Sequence, residues 1–114
     1  MPHVTLEFSQ GLDQAHDFQA ICEQLFSVLA KHEEFDASAL KIRATPVQYY
    51  RIGTDPQTFV HATLLLMQGR DEVTRTQLNT IILDVLSAAM PEVGSITVQE
   101  VEMNRASYAK RLSG

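Results

Sequence analysis

Apolar and polar residues alternate at the opening of the chain, with Val4, Leu6 and Phe8 interleaved between His3, Thr5 and Glu7. A period of two is the mark of a strand with one buried face. Gly11 interrupts it. From Asp13 to about Lys31 the apolar residues fall at positions 15, 18, 21, 22, 25, 26 and 29, a helical stripe. Asp13 is suited to start that helix, because its carboxylate can accept from the free amides of the first turn. Leu40, Ile42 and Ala44 then alternate with Lys41, Arg43 and Thr45, predicting a second strand that Pro46 limits. The order then returns: a strand at about 59–67, a helix at about 71–89 capped by Asp71, and a strand at about 95–102. Met90-Pro91 and Gly94 stop the second helix.

The return is also visible in residue identities. PHVTLEFSQGLD (2–13) and VHATLLLMQGRD (60–71) share six identities in twelve at an offset of 58. The helical positions Ile21-Cys22, Leu25-Phe26 and Leu29 correspond in pattern to Ile81-Ile82, Val85-Leu86 and Ala89. Such a match through two changes of hydrophobic period indicates a duplication. Each strand-helix-strand unit should pair its strands in parallel by a right-handed crossover. Two units joined through their first strands give an α+β fold, a four-stranded sheet with two helices on one face. Val4, Leu6, Phe8, Ala62, Leu64, Leu66, Ile96 and Val98 are expected to face the helices. Thr5, Glu7, Arg43, Thr63, Leu65, Met67 and Thr97 fall on the other face, a mixture suited to a polar subunit interface.

Composition narrows the classes. With 114 residues, 45% hydrophobic and 20% charged, the chain reads as one domain (1–114), built of repeats at about 2–57 and 58–103 and a tail at 104–114. The longest apolar run, Leu64-Leu65-Leu66-Met67, is far short of the ~20 residues of a spanning helix, so no membrane role is expected. No charged, apolar leader opens the chain, which makes the cytoplasm the expected compartment. A net charge of −5 argues against nucleic acid. The charge is uneven: residues 1–103 carry −8 and the tail +3, through Arg105, Lys110 and Arg111. That basic tail either docks on a neighbouring subunit, with Tyr108 in the contact, or lies solvated.

Met1-Pro2 is the feature with chemical content. Initiator methionine is normally removed before a small residue, which would leave Pro2 as the terminus. A terminal proline is a rigid secondary amine. In a water-poor pocket beside cations its conjugate acid is disfavoured, leaving a base poised near neutral pH. If the first and third strands are antiparallel neighbours, the start of one meets the end of the other, and Pro2 falls near Gln68-Gly69-Arg70. Arg70 precedes the helix capped by Asp71, where free amides favour an anion, and its fork can hold a carboxylate with two hydrogen bonds. The alternative is a solvated turn arginine. Arg43 is either an interface ion-pair partner or a substrate clamp.

Other residues carry less. His3, His16, His32 and His61 come without Cys-x-x-Cys, His-x-x-x-His or clustered carboxylates, so no metal is expected. Cys22 reads as an inert thiol in the helical stripe. Gly11 and Gly69 read as turn glycines, neither belonging to a phosphate-loop fingerprint.

Met-Pro-His opening an alternating strand, the twofold repeat, the length and the Gly69-Arg70 step together resemble the tautomerase superfamily. More closely, the chain resembles the 5-carboxymethyl-2-hydroxymuconate isomerase family, through PHVTLEF, KIRA around Arg43, FVHATLLLMQGR around Arg70, and ITVQEVEMNRASYAKR. The resemblance implies a tautomerase-like homotrimer whose sheets wrap a central barrel. It also implies catalysis by the terminal proline, here Pro2, moving a proton on an unsaturated keto or enol dicarboxylate with no cofactor. Arg43 and Arg70 fall on positions that hold substrate carboxylates in the family. Where members often carry another arginine two positions after the first, this chain has Thr45, and its loop Val47–Thr58 is short, offering Tyr49, Tyr50 and Arg51 as pocket walls. The competing readings are a promiscuous tautomerase, a dehalogenase-like relative, and a non-catalytic trimeric binding module.

Overall fold

The computed structural model describes residues 2–113. Strand β1 (His3–Ser9) is followed by a one-turn helix α1 (Leu12–Ala15) and helix α2 (Phe18–Leu29). A 3-10 turn at Ala37–Ala39 leads to β2 (Lys41–Val47), then β3 (Phe59–Met67), α3 (Glu72–Ala89) and β4 (Ser95–Met103). The four strands form one sheet in the order β2-β1-β3-β4. β1 pairs with β2 and β3 with β4 in parallel, while the two central strands are antiparallel. This is the expected α+β architecture of two strand-helix-strand units joined through their first strands. Thr5 and Thr63, equivalent under the 58-residue offset, lie opposite one another at the middle of the central pair.

Alternation fixes which face each residue takes. Val4, Leu6, Phe8, Ala62, Leu64 and Leu66 are buried with Ile21, Leu25, Leu29, Leu78, Ile82 and Leu86 of the two long helices. Ile96 and Val98 are partly buried against this core. Gly11 and Gly69, also equivalent under the offset, both take left-handed backbone, with φ of 103° and 121°. Each closes a central strand with a turn that a side chain would strain.

Two local expectations are corrected. The first helical segment is not one helix from Asp13. His16 is extended, and α2 starts anew at Asp17, whose carboxylate accepts from Ala20 N at 3.1 Å. Asp13 lies inside the single turn of α1, which begins at Gly11 with no side-chain cap. The later start lets Phe18 stack on Phe8 with ring centroids 3.8 Å apart. The stripe of α2 is therefore Phe18, Ile21, Leu25 and Leu29; Ala15 and Phe26 are exposed and Cys22 is half-buried. Next, β2 continues through Pro46 to Val47. β2 is an edge strand, bonded on one side only, so proline's missing N–H costs no ladder partner. Met67, the last residue of β3, is 5% exposed.

The corrected helix start has a measurable consequence. Asp17→Ala should lower the unfolding free energy by about 1 kcal/mol, while Asp13→Ala should change it by less than about 0.5 kcal/mol. Urea denaturation of both variants at one protein concentration checks this, and equal losses would contradict it.

Candidate active site

The register of the central pair sets the site. His3 lies opposite Leu65, so the residue preceding β1 comes beside the last residues of β3. Pro2 is buried there, and its carbonyl accepts from Lys41 N at 3.1 Å, which ties the start of the chain to β2. Met1, whose removal the sequence reading expects, lies outside the described residues. Pro2 and Arg70 line one cavity of about 170 Å³, together with Glu34, Asp36, Met67 and Arg105. That is below the ~300 Å³ of sites for drug-sized molecules and on the scale of a small acid.

Arg70 is held from several sides. Its Nε donates to Glu34 Oε1 at 2.8 Å, Nη2 to the Glu34 carbonyl at 2.9 Å, and Nη1 to the Met67 carbonyl at 3.4 Å. Its guanidinium also lies 6.0 Å from the centre of the buried Phe35 ring. An arginine carries five N–H donors, so Arg70 keeps capacity for an acceptor in the cavity. The helix start beyond it is already occupied: Asp71 accepts from Thr74 N at 2.8 Å, and that hydrogen bonding lowers the Asp71 pKa. One of the free amides expected there for an outside anion, that of Thr74, is thus served by the chain's own carboxylate.

Glu34 and Asp36 are cavity residues that sequence reasoning did not single out. Asp36 caps the 3-10 turn, accepting from Ser38 N at 3.0 Å and Ser38 Oγ at 2.7 Å. These bonds to Ser38 lower its pKa and keep it a carboxylate. The acid-rich stretch Glu33-Glu34-Phe35-Asp36 was the available signal, but its pairing with Arg70 depends on a contact 36 residues away.

Arg105 reaches the cavity from the tail. Asn104 folds the chain back, its Oδ1 accepting from Ala106 N at 3.0 Å and its carbonyl from Tyr108 N at 3.1 Å. Arg105 Nη2 then donates to the Gln68 carbonyl at 3.0 Å. Tyr108 Oη meets His3 Nε2 at 2.9 Å. The beginning of the basic tail therefore docks on its own chain.

Arg43 is not brought to Pro2 within the chain. It is exposed on β2, and its Nη1 donates to His3 Nδ1 at 3.0 Å. Since an arginine can only donate, the neutral His3 ring carries its hydrogen on Nε2, toward Tyr108. Burial, then the charges of Arg43 and Lys41, lowers the His3 pKa and favours this neutral form. Arg43 also borders a wider open groove of about 760 Å³ between α2 and β2. The one thiol there, Cys22, has its pKa raised by burial and Glu23, which disfavours the reactive thiolate. Tyr50 and Arg51 line a separate hollow formed by residues 50–57, and Tyr49 is 84% exposed, so none of the three walls the Pro2 cavity. Among the described residues, His, Cys, Asp and Glu nowhere gather in threes suited to a metal ion. None of the described helices is long and apolar enough to cross a membrane.

Comparison with known proteins places this geometry in context. Among solved structures, a 5-carboxymethyl-2-hydroxymuconate delta-isomerase is 19% identical with a TM-score of 0.84, covering 99% of this chain and 89% of its own. A 5-carboxymethyl-2-hydroxymuconate isomerase from Deinococcus radiodurans R1 is 22% identical with a TM-score of 0.83, covering 98% of this chain and 90% of its own. A fused 4-OT protein described as a symmetric trimer is 12% identical with a TM-score of 0.78, covering 96% of this chain and 93% of its own. These likenesses establish a shared tautomerase fold. Among curated proteins, none matches the chain. The family model for 5-carboxymethyl-2-hydroxymuconate isomerase matches residues 2–106, nearly the whole chain. The chain belongs to the 5-carboxymethyl-2-hydroxymuconate isomerase family.

Proposed function

We propose that the protein is a cofactor-independent isomerase that moves a proton on an unsaturated 2-hydroxy or 2-oxo acid bearing more than one carboxylate. Its acid-base group is the amine of Pro2, freed by removal of Met1. The observation that carries this reading is the placement of Pro2 and Arg70 around one small cavity. Family membership supports the isomerase class.

The chemistry follows from the groups present. With an enol substrate, the neutral Pro2 nitrogen takes the hydroxyl proton and becomes a cation. The oxygen's electrons form the carbonyl, the conjugated double bonds shift, and the charge emerges at carbon. The same nitrogen then returns its proton to that carbon. One proton is taken and one is given, and no bond to the protein forms. Arg70 serves twice in this scheme. Its charge beside Pro2 disfavours the protonated amine, and its remaining N–H groups hold a substrate carboxylate. Glu34 must then share or yield Arg70. The pair is partly exposed, 21% and 32% for the two side chains, and a pair of this kind is worth about 1 kcal/mol or less. A substrate carboxylate can therefore displace it at small cost.

Assembly belongs to the same proposal. The sheet face away from the helices carries half-buried Thr5, Thr63 and Leu65 with exposed Glu7 and Arg43, a surface suited to packing against further copies. We place the protein in a homotrimer, as described for the fused 4-OT relative. In this reading Arg43 acts as a carboxylate contact only across a subunit boundary, since in its own chain it is tied to His3.

Two outcomes check the proposal. Pro2→Ala should reduce kcat on 2-hydroxymuconate by about 100-fold or more, with circular dichroism and oligomeric state unchanged; full activity would refute Pro2 as the base. Arg70→Gln should raise KM and lower kcat together, by roughly 10- to 100-fold in kcat/KM, because the charge both binds and tunes. A steady-state assay showing wild-type values would exclude that role.

A further inference from the structure

The isomerase reading leaves a charge problem in its own cavity. Arg70 stands against two carboxylates there, Glu34 and Asp36. Glu34 takes one N–H of Arg70 through its side chain and another through its carbonyl, and Asp36 is held ionised by Ser38. With Arg70 alone the lining would carry net negative charge and would repel a dianion. The sixth lining residue, Arg105, restores the balance.

Arg105 differs from Arg70 in how much of it is spent. Its Nη2 donates to the Gln68 carbonyl, and the residue is exposed. Of its five N–H donors, most remain for a ligand. Its carrier segment is nonetheless ordered by the Asn104 turn and by the Tyr108–His3 contact, one residue after Pro2. A donor group with spare capacity on a braced backbone forms a charged contact at low entropic cost.

We infer that Arg105 is the specificity-determining residue for the second carboxylate of the substrate, the one remote from the reacting carbon. This rests on the isomerase reading of the Pro2 cavity and deepens it. Arg70 binds the carboxylate next to the enol, near the base. Arg105, reaching in from the tail, binds the far one and so separates dicarboxylates from monocarboxylates. An arginine fork suits this role better than a lysine, whose charge is compact and does not match a carboxylate with two parallel bonds.

The test compares 2-hydroxymuconate, a dicarboxylate, with phenylenolpyruvate, a monocarboxylate, on protein lacking Met1. For Arg105→Gln, KM for 2-hydroxymuconate should rise roughly 10- to 100-fold with kcat nearly kept, while both constants for phenylenolpyruvate stay at wild-type values. Arg105→Lys should fall between Arg105→Gln and wild type. Equal losses on both acids would mean that Arg105 only braces the turn at Gln68, and would overturn the inference. So would unchanged constants on both, or a dicarboxylate-selective loss in Arg43→Gln and not in Arg105→Gln. A wild-type protein inactive on both acids would instead strike the isomerase reading itself, leaving nothing for Arg105 to select.

Discussion

The antiparallel register of β1 and β3 is the constraint on which the rest of the molecule depends. It sets His3 against Leu65, so the start of the chain is buried beside the end of β3. Because side chains alternate across a strand, a slip of one residue would turn Val4, Leu6 and Phe8 out of the core. The same slip would carry Pro2 away from Arg70. Core packing and the arrangement of the cavity are therefore held by one pairing, and the residues that stabilise the fold also place the chemistry.

The two strand-helix-strand units are alike in topology but not in what their ends carry. The two halves meet at Thr5 and Thr63, and left-handed glycines close both central strands. Yet the residues equivalent to Pro2 and Arg70 under the 58-residue offset are Val60 and Leu12, both buried apolar groups. At that other end, Ser9 Oγ accepts from Phe59 N at 2.6 Å and Tyr50 tilts onto Phe59. One end of the central pair is thus sealed by packing. The other holds an imino acid, two arginines and two carboxylates around a small cavity.

Much of this was legible in the sequence because it is local or periodic. Alternation identified β1 and β3, and Asp71 marked the start of α3 because a cap acts within its own turn. The antiparallel pairing of the first strands was enough to bring Pro2 toward Arg70. What escaped is what tertiary contacts decide. Asp13 was read as the start of the first long helix, but Asp17 caps it, and the stacking of Phe18 on Phe8 accompanies that later start. Pro46 stayed in its strand because β2 is an edge, a fact of topology rather than of local sequence. Glu34 joined Arg70 across 36 residues, and the tail folded onto its own chain although its composition was equally compatible with a free end. Arg43 was placed on the correct sheet face, but a face does not specify a cavity.

The proposed base is a terminal amine that its surroundings would hold neutral. Its most direct measurement is a pH titration of the Pro2 nitrogen, labelled with 15N and followed by NMR in protein lacking Met1. The expected midpoint lies below the ~8 of an ordinary terminal amine and moves upward in Arg70→Gln as the neighbouring charge is lost. A midpoint at or above that ordinary value, unmoved by the substitution, would contradict it.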